Sequence, residues 1–300
     1  MRVRSIGQQP LIDVIAPASA FDTASFQASV AVLQAANIRL RFRSDISTRT
    51  GFLAGSDERR LEELLAALDA PDSDVIWAAR GGYGVTRLLP QVPVERIRDA
   101  GKIVIGFSDV SALHARWLAA GLPSIHGSMV ARFGQEPPDV QARLLSLLAS
   151  GEAPAPLSGK GLVPGVAEGL LTGGNLMVLS ALCGTPYQPD LQGCVLLLEE
   201  VGERPYRIDR LLVQCAQAGL FKGIAGIAVG EFKDCEQADG SATSAQVLAE
   251  HLPKLGVPVL TGLPVGHGVV NMAVPFGRRV RLDVDAGALT FLEPLFSSER

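Results

Sequence analysis

The sequence is sparing with charge, histidine and cysteine. Charged residues make up 19% of the 300 positions and the formal net charge is −4. No basic stripe emerges, so nucleic acid is not an expected partner. The cysteines, Cys183, Cys194, Cys215 and Cys235, all lie in the second half, and none forms a CxxC pair. That spacing excludes the common zinc and dithiol motifs and a small-domain disulfide framework, leaving thiols that are reduced and mostly buried. HExxH and an Asp/Asn/Gly-rich calcium loop are also missing, so neither metal nor cofactor is expected. No stretch approaches ~18 uninterrupted apolar residues, which removes a transmembrane helix and a membrane partner. The N-terminal MRVRSIGQQPLIDV has no apolar h-region and no small-residue cleavage site, so a cytoplasmic protein is expected. What is abundant is apolar: 47% hydrophobic residues supply a core for one large domain or two of about 150 residues.

Periodicity organises that material. In the first half, LIDVIAP (11–17), RLRFR (39–43), VIWAA (75–79) and KIVIGF (102–107) read as strands. Helical patterns separate them, over Ala20 to Asn37 and over 57–69, where Leu61, Leu64, Leu65 and Leu68 recur at helical spacing. Alternating strands and helices predict a parallel sheet covered on both faces, with ligands at the carboxyl ends of its strands. RGGYG (80–84) and Ser108 both fall at such ends. The Gly-, Pro- and Ser-rich stretch SGEAPAPLSGKGLVPG (150–165) is the linker candidate. Beyond it, strands predicted at 194–199, 224–230, 257–260, 278–284 and 288–292, with few helices such as 206–218, indicate a mixed α+β, β-rich domain. The expected division is 1–149, a linker over 150–168, and 169–300.

Several residues could carry chemistry. Ser108, in IGFSDVSALH (105–114), ends a strand and opens a helix. Its hydroxyl could simply cap that helix, or it could be exposed as a nucleophile at a strand–turn–helix elbow. The glycines of RGGYG let backbone N–H groups approach a ligand, as a tight turn or an anion cradle, but do not match GxGxxG. Four histidines are available as a base. His114 lies six residues past Ser108, about 600° around the same helix and on a different face. His251 sits in the helical stretch AQVLAEHL. His126 and His267 lie in loops, His267 between two glycines. Glu199 and Glu200 close the apolar run CVLLLEE; because neighbours on a strand point to opposite faces, at most one can reach a site.

These pieces, in order along nearly the whole chain, resemble the LD-carboxypeptidase A family of serine peptidases. The resemblance rests on VIAPAS (14–19), FLAGSDERR (52–60), AARGGYGVTRLL (78–89), IGFSDVSALH (105–114), IHGSM (125–129), TGGNLMVLSALCGTPYQP (172–189), LLLEEVGERPYRIDRLL (196–212) and VGHG (265–268). It departs from the family's pattern at Ser128, where proline is commoner. The resemblance implies a Ser–His–Glu triad of Ser108, His267 and Glu199, thereby choosing Glu199 over Glu200 and His267 over His126. It also implies an N-terminal Rossmann-like domain, related to class I glutamine amidotransferases, that carries the serine. A C-terminal swivelling β-rich domain carries the other two residues.

On that reading the chain is a cytoplasmic, homodimeric serine carboxypeptidase removing the terminal D-alanine from murein tetrapeptides during peptidoglycan recycling. The oxyanion would sit between the backbone N–H of Asp109 and one from Gly81 or Gly82. Arg80, Arg204 and Arg207 are candidates for binding the substrate carboxylate. Two other readings compete. A microcin C immunity-type peptidase would cleave peptidyl-aminoacyl nucleotides with the same triad, and would call for an aromatic stacking surface. A non-catalytic peptide- or sugar-binding protein on the same scaffold would lack an activated hydroxyl.

Overall fold

A computed structural model describes residues 10–296; the basic first residues of the chain, 1–9, lie outside it, as do 297–300. Five strands of the first half and one from near the end of the chain build a six-stranded sheet in the spatial order Val274–Phe276, Ser124–His126, Ile103–Gly106, Val75–Ala78, Leu11–Ile15, Arg39–Arg41. Its first-half strands pair in parallel. Val75–Ala78 and Ile103–Gly106 are buried at every position, as expected for strands with helices on both faces. Each Val or Ile so enclosed contributes about 1.5–3 kcal/mol of burial. Trp77 and Trp117 fill the same core, and their indole N–H groups donate to Ser128 O (2.8 Å) and Lys102 O (2.7 Å).

Helix starts follow local chemistry. Asp22 caps Thr23–Ala35 by accepting from Ser25 N at 2.7 Å, and Ser56 caps Asp57–Asp69 by accepting from Arg59 N at 3.3 Å. Chain order reverses across the sheet between Leu11–Ile15 and Val75–Ala78, the kind of switch point where α/β proteins open a crevice. RGGYG leaves the second of these strands.

An eight-stranded sheet holds the other half: Leu157–Ser158, Ala288–Phe291, Arg279–Asp283, Val166–Asn175, Val195–Val201, Gly226–Lys233, Val259–Thr261 and Lys160–Val163. The four strands from Val166–Asn175 to Val259–Thr261 run parallel, with three antiparallel-paired strands on one side and one on the other. Two details differ from the pattern read in the sequence. The Gly/Pro-rich stretch 150–165 is not purely connecting, since Leu157–Ser158 and Lys160–Val163 form both edges of this sheet. A strand absent from that pattern also forms: Val274–Phe276 crosses to the first sheet and pairs antiparallel with Ser124–His126. Pro275 fits there because an edge strand tolerates a missing N–H donor. The cysteines are free, and Cys194, Cys215 and Cys235 are buried.

Candidate active site

Ser108 follows the buried strand Ile103–Gly106 with φ of +61°, in the left-handed region. A residue other than glycine pays roughly 1–2 kcal/mol there. Ser108 opens a short 3-10 turn, Ser108–Val110, and neither that turn nor the helix Ser111–Ala120 receives a side-chain cap. The capping explanation for this serine therefore fails. Gly106 permits the turn to fold back tightly, because a Cβ there would lie 2.9 Å from both methyl carbons of Val110. Asp109 is buried and accepts from Val85 N at 2.8 Å, tying the serine turn to the end of RGGYG; burial pushes its carboxyl pKa up.

The glycines of RGGYG face the same place. A Cβ on Gly81 would stand 3.2 Å from Ser108 Oγ and 3.1 Å from Phe107 O. Gly82, with φ of +101°, would drive a Cβ to 2.5 Å from Ser19 Oγ. Ser19, the last residue of VIAPAS, in turn donates its N–H to Gly81 O and accepts from Tyr83 N, both at 3.1 Å. At Gly81 and Gly82, therefore, only bare backbone fits without a close contact.

From the second sheet comes a carboxylate–imidazole pair. Glu199 is fully buried near the end of Val195–Val201, and its Oε2 lies 2.6 Å from Nδ1 of His267. With Nδ1–H donated to Glu199, the imidazole keeps a lone pair on Nε2. The loop that presents His267 is itself held: Gly266 N donates to Asn271 Oδ1 at 3.0 Å, and Gly266 has φ of +127°. The imidazole packs on Phe107, the neighbour of Ser108, with ring centroids 4.7 Å apart. Ser108, His267, Gly81 and Gly82 all line one cavity of about 620 Å³ between the sheets.

Glu200 points the other way. It accepts from Asn175 Nδ2 (2.9 Å) and Met177 N (2.7 Å), and burial pushes its carboxyl pKa up to about 7. His114 is occupied, with its ring nitrogens 2.8 Å from Ser124 Oγ and 2.9 Å from Gly106 O; burial lowers its pKa to about 4. His126 is buried, and burial moves its pKa well below the usual histidine value. His251 lies by Asp209, at 3.4 Å. Of the four histidines, His267 alone borders the cavity.

Among the candidate arginines, Arg80 lines the cavity and donates to Ala20 O. Arg204 and Arg207 are not among the lining residues, and Arg207 is engaged with Tyr206 Oη and Glu203. Arg132 does line the cavity, yet nothing in the sequence singled it out. Its position depends on a four-residue helix, Val130–Phe133, that no hydrophobic period announces. Among the described residues, no group of three or more His, Cys, Asp or Glu side chains is arranged to hold a metal ion.

Two sheets facing a common cavity, one bringing a strained serine and the other a carboxylate-bound imidazole, define a serine-hydrolase class of α/β protein. Comparisons narrow it. Residues 12–127 match the LD-carboxypeptidase N-terminal domain and residues 168–282 the LD-carboxypeptidase C-terminal domain, and the chain belongs to the LD-carboxypeptidase family. A protein of Synechocystis sp. named as a carboxypeptidase is 38% identical over 284 residues, covering 94% of each chain. The murein tetrapeptide carboxypeptidase of Pseudomonas aeruginosa is 34% identical over 286 residues, covering 91% of this chain and 92% of that one. The crystal structure of muramoyltetrapeptide carboxypeptidase from Oxalobacter formigenes superposes with a TM-score of 0.85 at 29% identity, over 94% of this chain and 97% of that one. The microcin C7 self-immunity protein of Escherichia coli is also similar, at 26% identity over 320 residues, 95% of this chain and 93% of that one.

Proposed function

We propose that this protein is a serine LD-carboxypeptidase that releases the terminal D-alanine from murein tetrapeptides, leaving tripeptides. The observation that carries the reading is the buried Glu199–His267 pair opening onto the same cavity as the left-handed Ser108. In this mechanism Ser108 Oγ attacks the carbonyl carbon before the terminal residue, while His267 Nε2 takes the hydroxyl proton. The same imidazole hands that proton to the amine of D-alanine as the C–N bond breaks. Water, activated in turn by His267, then frees Ser108 from the acyl group. Glu199 holds the imidazole in the tautomer that leaves Nε2 unprotonated, and steadies its cation. The N–H groups of Asp109 and of the Gly81–Gly82 turn are assigned to the oxyanion, each worth about 3 kcal/mol of barrier.

The proposal extends to a division near residues 150–168 between a serine-bearing domain and a domain bearing Glu199 and His267. It also includes a cytoplasmic location and a homodimer, to be tested by fractionation and by light scattering. Among the described residues, no helix is long and apolar enough to cross a membrane.

One feature favours the nucleotide-cleaving alternative. Phe52 and Tyr83 are exposed, with ring centroids 5.6 Å apart, and Tyr83 follows the cavity-lining Gly82, so they could stack a base. Mass spectrometry of the purified protein with a panel of defined muropeptides and an aminoacyl sulfamoyl adenylate separates the two. D-Alanine release that Ser108→Ala abolishes and EDTA leaves intact is the expected result. Turnover of the adenylate alone, or activity persisting in Ser108→Ala, overturns the reading.

A further inference from the structure

A carboxypeptidase must recognise a free carboxylate only three bonds from the carbon it attacks. Summed bond lengths keep those two carbons within about 4 Å, so the recognising group has to share the cavity with Ser108. A lone carboxylate moved out of water needs a cation or several donors. Besides His267, the basic side chains lining the cavity are Arg80 and Arg132.

Arg132 is the better built of the two. Its Nε lies 2.8 Å from Oε1 of Glu136, a side chain only 1% exposed that also accepts from Ser128 Oγ at 2.6 Å. Its Nη2 donates to Gly268 O at 2.6 Å, the carbonyl immediately after His267. Its guanidinium carbon stands 6.0 Å from the ring centroid of Phe107, immediately before Ser108. The guanidinium is thus braced against the chain neighbours of both the serine and the histidine. Its side chain remains one-third exposed at the cavity, and among the described residues nothing accepts from Nη1. Such a planar fork, already oriented, loses little freedom on binding a carboxylate. Arg80, by contrast, is an exposed side chain spending one donor on Ala20 O.

We infer that Arg132 binds the terminal carboxylate of the substrate and so makes the enzyme a carboxypeptidase rather than an endopeptidase. This rests on the function proposed above. Glu136 and Gly268 O are what hold the guanidinium in place for that task.

The test compares two substrates, a murein tetrapeptide and the same peptide with its terminal carboxylate converted to the carboxamide. For Arg132→Met, kcat/KM on the free acid should fall on the order of 100-fold, while the carboxamide changes by less than about threefold. Arg132→Lys, which keeps charge but not the fork, should lie between. The rate at which a fluorophosphonate labels Ser108 reports the serine and histidine without any carboxylate, and should be nearly unchanged. Equal losses on both peptides and in labelling would mean that Arg132 serves only to brace the His267 loop, overturning the inference. An unchanged acid-to-amide preference would overturn it as well, and so would collapse of that preference in Arg80→Met instead. Failure of the underlying function would look different: the unmutated chain would release no D-alanine at all.

Discussion

Replacing Glu199 by glutamine separates what this carboxylate does for chemistry from what it does for folding. The side chain is fully buried, with Oε2 2.6 Å from His267 Nδ1 and, among the described residues, no hydrogen-bond partner for Oε1. When His267 takes the Ser108 proton, a cation forms whose charge centre lies about 4 Å from that of the carboxylate. At an effective dielectric near 20 this attraction is worth about 4 kcal/mol. At about 1.4 kcal/mol per decade, its loss slows the step by about three powers of ten. Glutamine adds a second penalty: turned one way its oxygen still accepts from Nδ1–H, but turned the other way its amide donates to Nδ1 and enforces the wrong tautomer. The corresponding Asp→Asn change in a serine-protease triad costs about 10⁴ in kcat, the upper end of the expected range.

Stability should move the other way, or not at all. Glu199→Gln keeps the shape and the hydrogen-bond count while removing a charge held out of water, which relieves a desolvation cost. D-Alanine release under single-turnover conditions gives the rate, and urea unfolding gives the stability. A rate within tenfold of the unmutated enzyme would refute the role given to Glu199. A matching loss of stability greater than about 2 kcal/mol would refute the claim that it is catalytic rather than structural.

Three further outcomes follow from the same geometry. Ser108→Gly removes a left-handed strain and should raise unfolding stability by about 1 kcal/mol while eliminating fluorophosphonate labelling; unchanged or lower stability in urea would contradict the strain argument. In Gly81→Ala the new methyl would sit 3.2 Å from Ser108 Oγ, so kcat should drop at least about tenfold with the thermal midpoint nearly constant. Full activity in that variant would remove the Gly81 turn from the oxyanion site. Because burial lowers the His114 pKa from 6.5 to about 4, its contribution to stability is present above pH 6.5 and is lost as pH falls toward 4. The loss amounts to about 3 kcal/mol and should shrink in His114→Gln, as read by urea unfolding at pH 7 and 4.5; an identical pH dependence in that variant would be the contrary result.

Local periodicity carried the parts of the fold that depend on neighbours in the chain. The buried strands 75–78 and 103–106 and the helix Asp57–Asp69 are visible as runs and spacings, with Ser56 as a readable cap. Edge strands were harder. Lys160–Val163 is a short segment in glycine-rich sequence, paired only because Val259–Thr261 happens to lie beside it. At the site, strand alternation shows that Glu199 and Glu200 diverge, but not which one meets a histidine; that depends on a loop 68 residues away. Family resemblance supplied the choice. Arg132 escaped because its environment is assembled from Glu136, Phe107 and Gly268, and the last of these is 136 residues distant.

Those long-range contacts also explain how a site divided between two sheets can be accurate. Asn175 N donates to Ser111 Oγ at 2.9 Å, three residues past Ser108 and from the strand paired with Glu199. Gly174 allows it, since a Cβ there would lie 2.3 Å from the same oxygen. The His267 ring rests on Phe107. Each contact joins a residue within a few positions of Ser108 to His267 or to the strand partner of Glu199. Rotating one sheet against the other would break them together, at about 1 kcal/mol for each hydrogen bond and more for the aromatic packing. Each sheet presents its own half of the machinery, and the packing immediately around the reacting groups sets their alignment, so substitutions at Ser111 or Gly174 should reduce turnover although neither residue lines the cavity.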